Sequence, residues 1–263
     1  MTFDASLINS GVPHSARIWN YWLGGKDCYE VDRRVGDEIR AANPGIIDIA
    51  RAQRAFLVRA VEHLAGEAGV RQFLDVGTGL PTADNTHEVA QRVAPEARIV
   101  YVDHDPIVLA HAEALLTSTP EGATAYIDAD LRDPEAILRG VAATLDFTRP
   151  VALMLLGITA HVVDDTAYDV VGRLVEALPS GSYLVLCDDT EVLDPKAMRE
   201  MIDQWNAASD NPRVNRSPSA LARFFDGLDL LPPGLVSVSR WRPRPGEAGA
   251  AEVDDFGAVG CKP

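Results

Sequence analysis

"DVGTGLPTADNTHEVAQ", residues 75–91, is the stretch on which the fold turns. It continues an apolar, β-branched run, "VRQFLDV" (70–76), and passes through Gly77 and Gly79 into the helically spaced "NTHEVAQRVA" (85–94). A strand, a glycine-rich turn and a helix in that order open a parallel βαβ unit, and ligands of such units gather at the carboxyl end of the strand. A dinucleotide loop would carry a third glycine at position 82, which here is Thr82. Pro81 removes one backbone N–H from the turn, and Asp75 adds a negative charge beside it. Both features oppose a pyrophosphate and suit a ligand that carries positive charge.

Working outward, the same alternation continues along the chain. "ARIVYVD" (97–103), "ATAYIDA" (123–129), "PVALMLL" (150–156) and "SYLVLCD" (182–188) are aliphatic without strict polar alternation, as strands buried on both faces are. Between them "PIVLAHAEALL" (106–116), "DPEAILRGVAATL" (133–145) and "DDTAYDVVGRLVEAL" (164–178) have helical spacing and Asp or Pro at the first turn. Beyond residue 190 the pattern predicts a helix in "PKAMREMIDQWNAAS" (195–209), a shorter one in "PSALARFFDGL" (218–228), and strands in "GLVSVSR" (234–240) and "FGAVGCK" (256–262). The expected fold class is α/β: a doubly wound, mostly parallel seven-stranded sheet over residues 66–263, behind an N-terminal helical cap over 1–65.

Composition excludes several classes. Against 39 Asp and Glu stand 24 Lys and Arg, a net charge of −15 that opposes a phosphate backbone, so no nucleic-acid partner is expected. The basic segments "RAQRAFLVR" (51–59) and "SRWRPRP" (239–245) read as solvated surface. The apolar stretch "VALMLLGITA" (151–160) is too short for a bilayer, and "MTFDASLINSGVPHSARIW" carries no basic and apolar leader. Three separated cysteines form no C-x-x-C, so neither a disulfide framework nor a metal site is expected, and the predicted location is cytoplasmic.

S-adenosylmethionine, with a sulfonium, an ammonium and one carboxylate, is a ligand of the required charge. The residues resemble class I S-adenosylmethionine-dependent methyltransferases, whose first motif is an acidic residue, x, Gly, x, Gly. More narrowly, "FLDVGTGLPTADNTHEVAQ" (73–91), with "GGKD" (24–27) and "VDHDPIVLAHA" (102–112), is similar to a subfamily of no assigned acceptor that carries D-x-G-T-G-x-P-T-x-x-N-x-H. The resemblance implies cofactor contacts at Asp75, Gly77, Thr78 and Gly79. It implies a ribose-binding acid at Asp103 with His104 beside it, 24 residues past Gly79, with Asp105 capping the next helix. It places adenine at Asp130 and Leu131 in "DADLRDP" (128–134), and the methionine part over Gly157 and Ile158 in "LLGITAH" (155–161).

The N-terminal segment "ARIWNYWLGGKDCY" (16–29) reads as an amphipathic helix ending at glycine, and equally as a lid with Tyr21 and Lys26 facing the cofactor. Arg54 is a candidate partner for the cofactor carboxylate or one half of a surface ion pair. His87 is a candidate ligand residue or a satisfied core histidine. His161 is the candidate catalytic base, since methyl transfer needs one only where the nucleophile must lose a proton. No N-P-P-[YF] follows the fourth strand, which opposes amino methylation of bases or amides, and no G-x-S-x-G, S-x-x-K or H-E-x-x-H suggests a hydrolase. The expected function is S-adenosylmethionine-dependent methylation of a small-molecule acceptor. The alternatives are a non-catalytic binder of that cofactor and a nicotinamide oxidoreductase.

Overall fold

A computed structural model describes residues 9–115, 117–209, 211–247 and 249–263. The first eight residues, part of the segment read as lacking a leader, lie outside it. Three helices come first: α1 (Ser15–Trp22), α2 (Glu30–Ala42) and α3 (Ile46–Gly66). Strands and helices then alternate as β1 (Gln72–Val76), α4 (Thr86–Val93), β2 (Arg98–Asp103), α5 (Pro106–Leu115), β3 (Ala123–Asp128), α6 (Pro134–Val141), β4 (Ala152–Leu156), α7 (Thr166–Ala177) and β5 (Tyr183–Asp189). The chain ends with α8 (Pro195–Ala208), α9 (Pro218–Ala222), β6 (Asp229–Leu230), β7 (Val236–Ser237) and β8 (Asp255–Cys261).

The sheet runs β3-β2-β1-β4-β5-β8-β6, with β7 also on β8. Strands β1 to β5 are parallel, and β8 runs antiparallel to β5. The described residues thus hold eight strands where seven were expected. Asp229–Leu230 is two residues between Gly227 and Pro232, too short to show a period. The run at 234–240 yields only Val236–Ser237 because the chain tightens into a 3-10 turn over Val238–Arg240.

Period-two alternation builds the layers. Phe73, Ile99, Tyr101 and Met154 face a core shared with Phe56, Ala60, Val61 and Leu64 of α3 and Val89 and Ala90 of α4. Leu74, Val76, Val100 and Leu153 face the opposite core, with Ile137 of α6 and Val171 and Leu174 of α7. A third core joins Ile18 and Trp22 of α1, Val35 and Ile39 of α2, and Met198, Met201 and Trp205 of α8. Helix α3 therefore forms one layer of the sheet core, while α1 and α2 pack with α8 beside the strands' carboxyl ends.

Candidate cofactor-binding site

The switch in strand order lies at β1, flanked by β2 and β4, where an open parallel sheet forms its ligand crevice. A cleft of about 1120 Å³, its open mouth included, lies there. Its inner wall is the turn after β1. Gly77 and Gly79 have φ of 74° and 67°, in the left-handed region, and a Cβ on Gly77 would come within 2.4 Å of the Ile158 side chain. The Gly77 N–H donates to the Val102 carbonyl (2.8 Å), and the Thr78 hydroxyl donates to the Asp75 carbonyl (3.1 Å). The Gly79 N–H donates to Oδ2 of Asp103 (2.9 Å), whose Oδ1 accepts the Asp105 N–H (3.0 Å). Each of those oxygens retains a second lone pair. Burial raises the Asp103 carboxyl above its ordinary range despite these donors.

Alternation along β1 puts Asp75 on the Phe73 face, under α3 and the start of α4. The Thr86 hydroxyl donates to its Oδ2 (2.6 Å). Burial pushes the Asp75 carboxyl up to about 6, while Thr86 and the Arg54 charge pull the other way. Arg54, from α3, lines the same end of the cleft and donates to the Thr82 hydroxyl, and burial lowers its own pKa. The N-terminus of α4 is filled from within: Glu88 accepts the Asn85 N–H (2.8 Å) and Asn85 accepts the Thr82 N–H (3.0 Å). The first donors of α4 are thus satisfied by its own capping box.

The outer wall comes from distant segments. Ala16, Trp19 and Asn20 of α1 face the cleft, with His14 at its start. Nδ1 of His14 lies 2.9 Å from Oδ2 of Asp105, and Oδ1 of Asp105 accepts the Ile107 N–H (2.9 Å), so one carboxylate caps α5 and ties α1 to it. On the far side stand His161, Trp205, Asn211 and Arg213. Arg213 donates to Asp189 (2.9 Å), and its guanidinium lies 5.3 Å from the Trp205 ring centroid. Burial and then the Arg213 charge lower His161 to about 3, so its imidazole is neutral at physiological pH. A proton held that weakly is released again, and His161 suits hydrogen-bond acceptance better than proton storage.

The sequence profile of the family described as S-adenosyl methyltransferase matches residues 1–263. The chain belongs to that S-adenosyl methyltransferase family. A DUF574 family protein of Streptomyces avermitilis MA-4680 is 46% identical, with a TM-score of 0.94 over 97% of this chain and 99% of the other. A candidate methyltransferase of Thermobifida fusca YX is 40% identical, with a TM-score of 0.87 over 98% and 97%. The plantazolicin methyltransferase BpumL, solved with SAH, shares the fold at 11% identity and a TM-score of 0.52 over 94% and 95%. No curated protein matches. The protein is an S-adenosylmethionine-dependent methyltransferase, and S-adenosylmethionine is its cofactor.

The methyltransferase brings Asp75, Gly77, Thr78, Gly79, Arg54, Asp103, His104, Gly157, Ile158 and His161 to one cleft. Five other candidates lie outside its lining, each for a local reason. Tyr21 sits on the side of α1 opposite Ala16, and its hydroxyl donates to Asp37 (2.9 Å). Lys26 is exposed beyond the helix end. His87, in the first turn of α4, is buried, with Nδ1 2.8 Å from the Tyr101 hydroxyl. Asp130 accepts the backbone N–H of Arg132 (2.8 Å) and pairs with its side chain (3.0 Å), and Leu131 is buried in the core under α6 and α7. Trp19, Asn20, Gln53, Thr86, Trp205, Asn211 and Arg213 line the cleft and were not foreseen. The i, i+3, i+4 spacing of Ala16, Trp19 and Asn20 was the available signal for α1, whereas nothing local marks residues 205–213. Among the described residues no group of three or more His, Cys, Asp and Glu could hold a metal ion, and no helix is long and apolar enough to cross a membrane.

Proposed function

We propose that this methyltransferase transfers the methyl group to a small-molecule acceptor inside the cleft, with the cofactor spanning the glycine turn. Asp103 takes the ribose hydroxyls with the lone pairs its backbone donors leave free, and His104 borders the same end. Asp75 takes the ammonium, and Arg54 takes the carboxylate. Gly77, Thr78 and Gly79 let the ligand approach the backbone, while Gly157 and Ile158 form the floor under the sulfonium. S-adenosylmethionine, when bound, supplies an electrophilic methyl group on that sulfonium.

The observation that carries this reading is that Asp75 and Arg54, opposite charges within electrostatic reach of each other, line one end of the glycine turn, while Asp103, with lone pairs left free by its backbone donors, lines the other. The first suits a zwitterion and the second suits a diol. A polymeric acceptor has little support: the wall formed by α1 partly encloses the cleft, and a net charge of −15 disfavours nucleic acid. Cytoplasmic residence is part of the proposal. Calorimetry with S-adenosylmethionine, S-adenosylhomocysteine and NAD tests the cofactor assignment: the first two bind and NAD does not. A screen of small-molecule acceptors for methylated product tests the rest. Product formed only on nucleic acid or protein would overturn the acceptor class.

A further inference from the structure

Among the described residues that line the cleft none comes from the "GGKD" turn (24–27), yet that turn fixes one that does. Asn20 of α1 is 2% exposed and lines the cleft. Its carbonyl accepts the Gly25 N–H (2.8 Å), and its Oδ1 accepts the Asp27 N–H (3.2 Å). Gly24 turns the chain back at φ 84°, and Gly25 lies so close that a Cβ there would overlap Oδ1, Cγ and Nδ2 of Asn20. A backbone N–H must face the amide oxygen, so the turn decides that Nδ2 is the end left over. Nδ2 has no partner among the described residues, and it keeps surface open to the cleft, which the chain's enclosed unpartnered atoms do not. It can only donate.

The position of Asn20 along α1 narrows what it meets. At the start of the helix, His14 is tied to Asp105 beside the ribose acid, and Ala16 faces Gly79. Asn20 lies six residues past His14, about 9 Å along the axis. Ile18 and Trp22, on either side of it, share a core with Ile49 and Ala50 of α3, one turn before Gln53 and Arg54. Asn20 therefore stands toward the Arg54 end of the cleft and away from Asp103.

Resting on the proposed cofactor placement, we infer that Asn20 is a cofactor-binding residue whose Nδ2 donates to the carboxylate of the methionine part beside Arg54. Sulfonium and ammonium accept no hydrogen bond, and the nucleoside belongs to the Asp103 end, so the carboxylate is the cofactor group left for a donor here. A carboxylate has about four lone-pair sites, and Arg54 already gives one N–H to the Thr82 hydroxyl. A neutral donor adds a bond without adding a charge, so the match of Asp75 with ammonium and of Arg54 with carboxylate stays balanced. The wall formed by α1 then reads the amino-acid end of the cofactor as well as covering it.

The test compares S-adenosylmethionine with its decarboxylated form, which keeps the sulfonium and the ammonium, by calorimetry on the full chain. The parent should bind S-adenosylmethionine about tenfold or more tightly than the decarboxylated form. Asn20→Ala should weaken S-adenosylmethionine about tenfold and leave the decarboxylated form within about threefold of its parent value. Asn20→Asp keeps Oδ1 for the Asp27 N–H and puts a second oxygen where Nδ2 was, and should weaken S-adenosylmethionine about a hundredfold. Gly25→Ala, which displaces the amide, should act like Asn20→Ala. Retained binding of the decarboxylated form shows that each variant is folded. If Asn20→Ala weakens both ligands alike, Asn20 only packs the wall, and if it weakens neither, Nδ2 meets water; either result overturns the inference. Should the variants not fold, the side-chain amide resonances of Asn20 in the parent decide: they should move with S-adenosylmethionine and not with the decarboxylated form, and movement with both or with neither overturns the inference. Equal affinity of the parent for the two ligands would instead defeat the placement of the carboxylate on Arg54, and this inference with it.

Discussion

Asp103→Ala tests the centre of the cofactor site. The carboxylate holds two backbone donors, Gly79 N–H at 2.9 Å and Asp105 N–H at 3.0 Å, and the proposal gives its remaining lone pairs to two ribose hydroxyls. Removing it strands both N–H groups. The site is half-buried and open to the cleft, so water takes up part of the loss, and unfolding stability should fall by about 2 kcal/mol. Binding loses two charge-assisted bonds, each worth roughly 1.5–3 kcal/mol before solvent replaces part of it, or about ten- to a thousandfold in affinity. Loosening the Gly79 tie pushes the result toward the upper end. Asp103→Asn, which keeps one acceptor oxygen, should fall between. Asp105→Ala is the internal comparison: it removes a helix cap of about 1 kcal/mol and the pairing with His14, but its carboxylate faces away from the ribose position. Calorimetry for binding and denaturant unfolding for stability should separate the two variants. If Asp103→Ala binds S-adenosylmethionine like the parent while Asp105→Ala does not, the ribose assignment is refuted.

Asp75 is protonated in the free protein below about 6, so affinity for the cationic cofactor should be about tenfold weaker at pH 5 than at pH 7. Asp75→Asn should flatten that profile, and a parent profile already flat would remove the ammonium from Asp75. Stability should respond to pH in the opposite sense. Asp75 and Asp188, raised by burial to about 6 and about 7, contribute stability that is full below the ordinary carboxylate range and lost as pH rises through those values. The ligand-free melting temperature should therefore fall between pH 5 and pH 8, and Asp188→Asn should reduce the fall. Gly77→Ala must place a Cβ at φ 74° and 2.4 Å from Ile158, which should cost about 2–4 kcal/mol of stability, read by denaturant unfolding. Cofactor affinity should change by less than about tenfold between low and high salt, because the charged contacts are few and enclosed, and a loss of several decades would point to a polyanion site.

The sheet was legible because β1, β2, β4 and β5 are buried on both faces, and continuous aliphatic runs mark such strands at any position in a chain; β3, half-buried at the sheet edge, shows the same kind of run without that burial. β6 was not legible, since two residues cannot carry a period, and the turn after Ser237 has no strong breaker to announce it. Residues within a few positions of a strand end reach the cleft, as Asp75, the glycines, Asp103 and Gly157 do, because the topology itself carries those ends there. Asp130 failed that rule, because Arg132 two residues on takes both its oxygens back to the surface. Tyr21 was misplaced by reading composition without rotation: α1 turns Trp19 and Asn20 inward and Tyr21 toward Asp37. Trp205 and Arg213 enter from a helix and a loop after the last parallel strand, and their place depends on how α8 docks on α2, a tertiary fact with no local signal.

The turn after β1 is tied on three sides by the protein's own bonds, Gly77 to Val102, Thr78 to Asp75 and Gly79 to Asp103. A loop already ordered demands little conformational entropy from whatever enters it, and it also adapts little. The methyl donor and the thioether left after transfer share the same nucleoside and amino-acid ends, so a rigid loop grips both alike. Only the region around sulfur can tell them apart. With the cofactor placed as proposed, the thioether competes for the loop on nearly equal terms, and a rate measured at fixed donor should fall as the thioether accumulates.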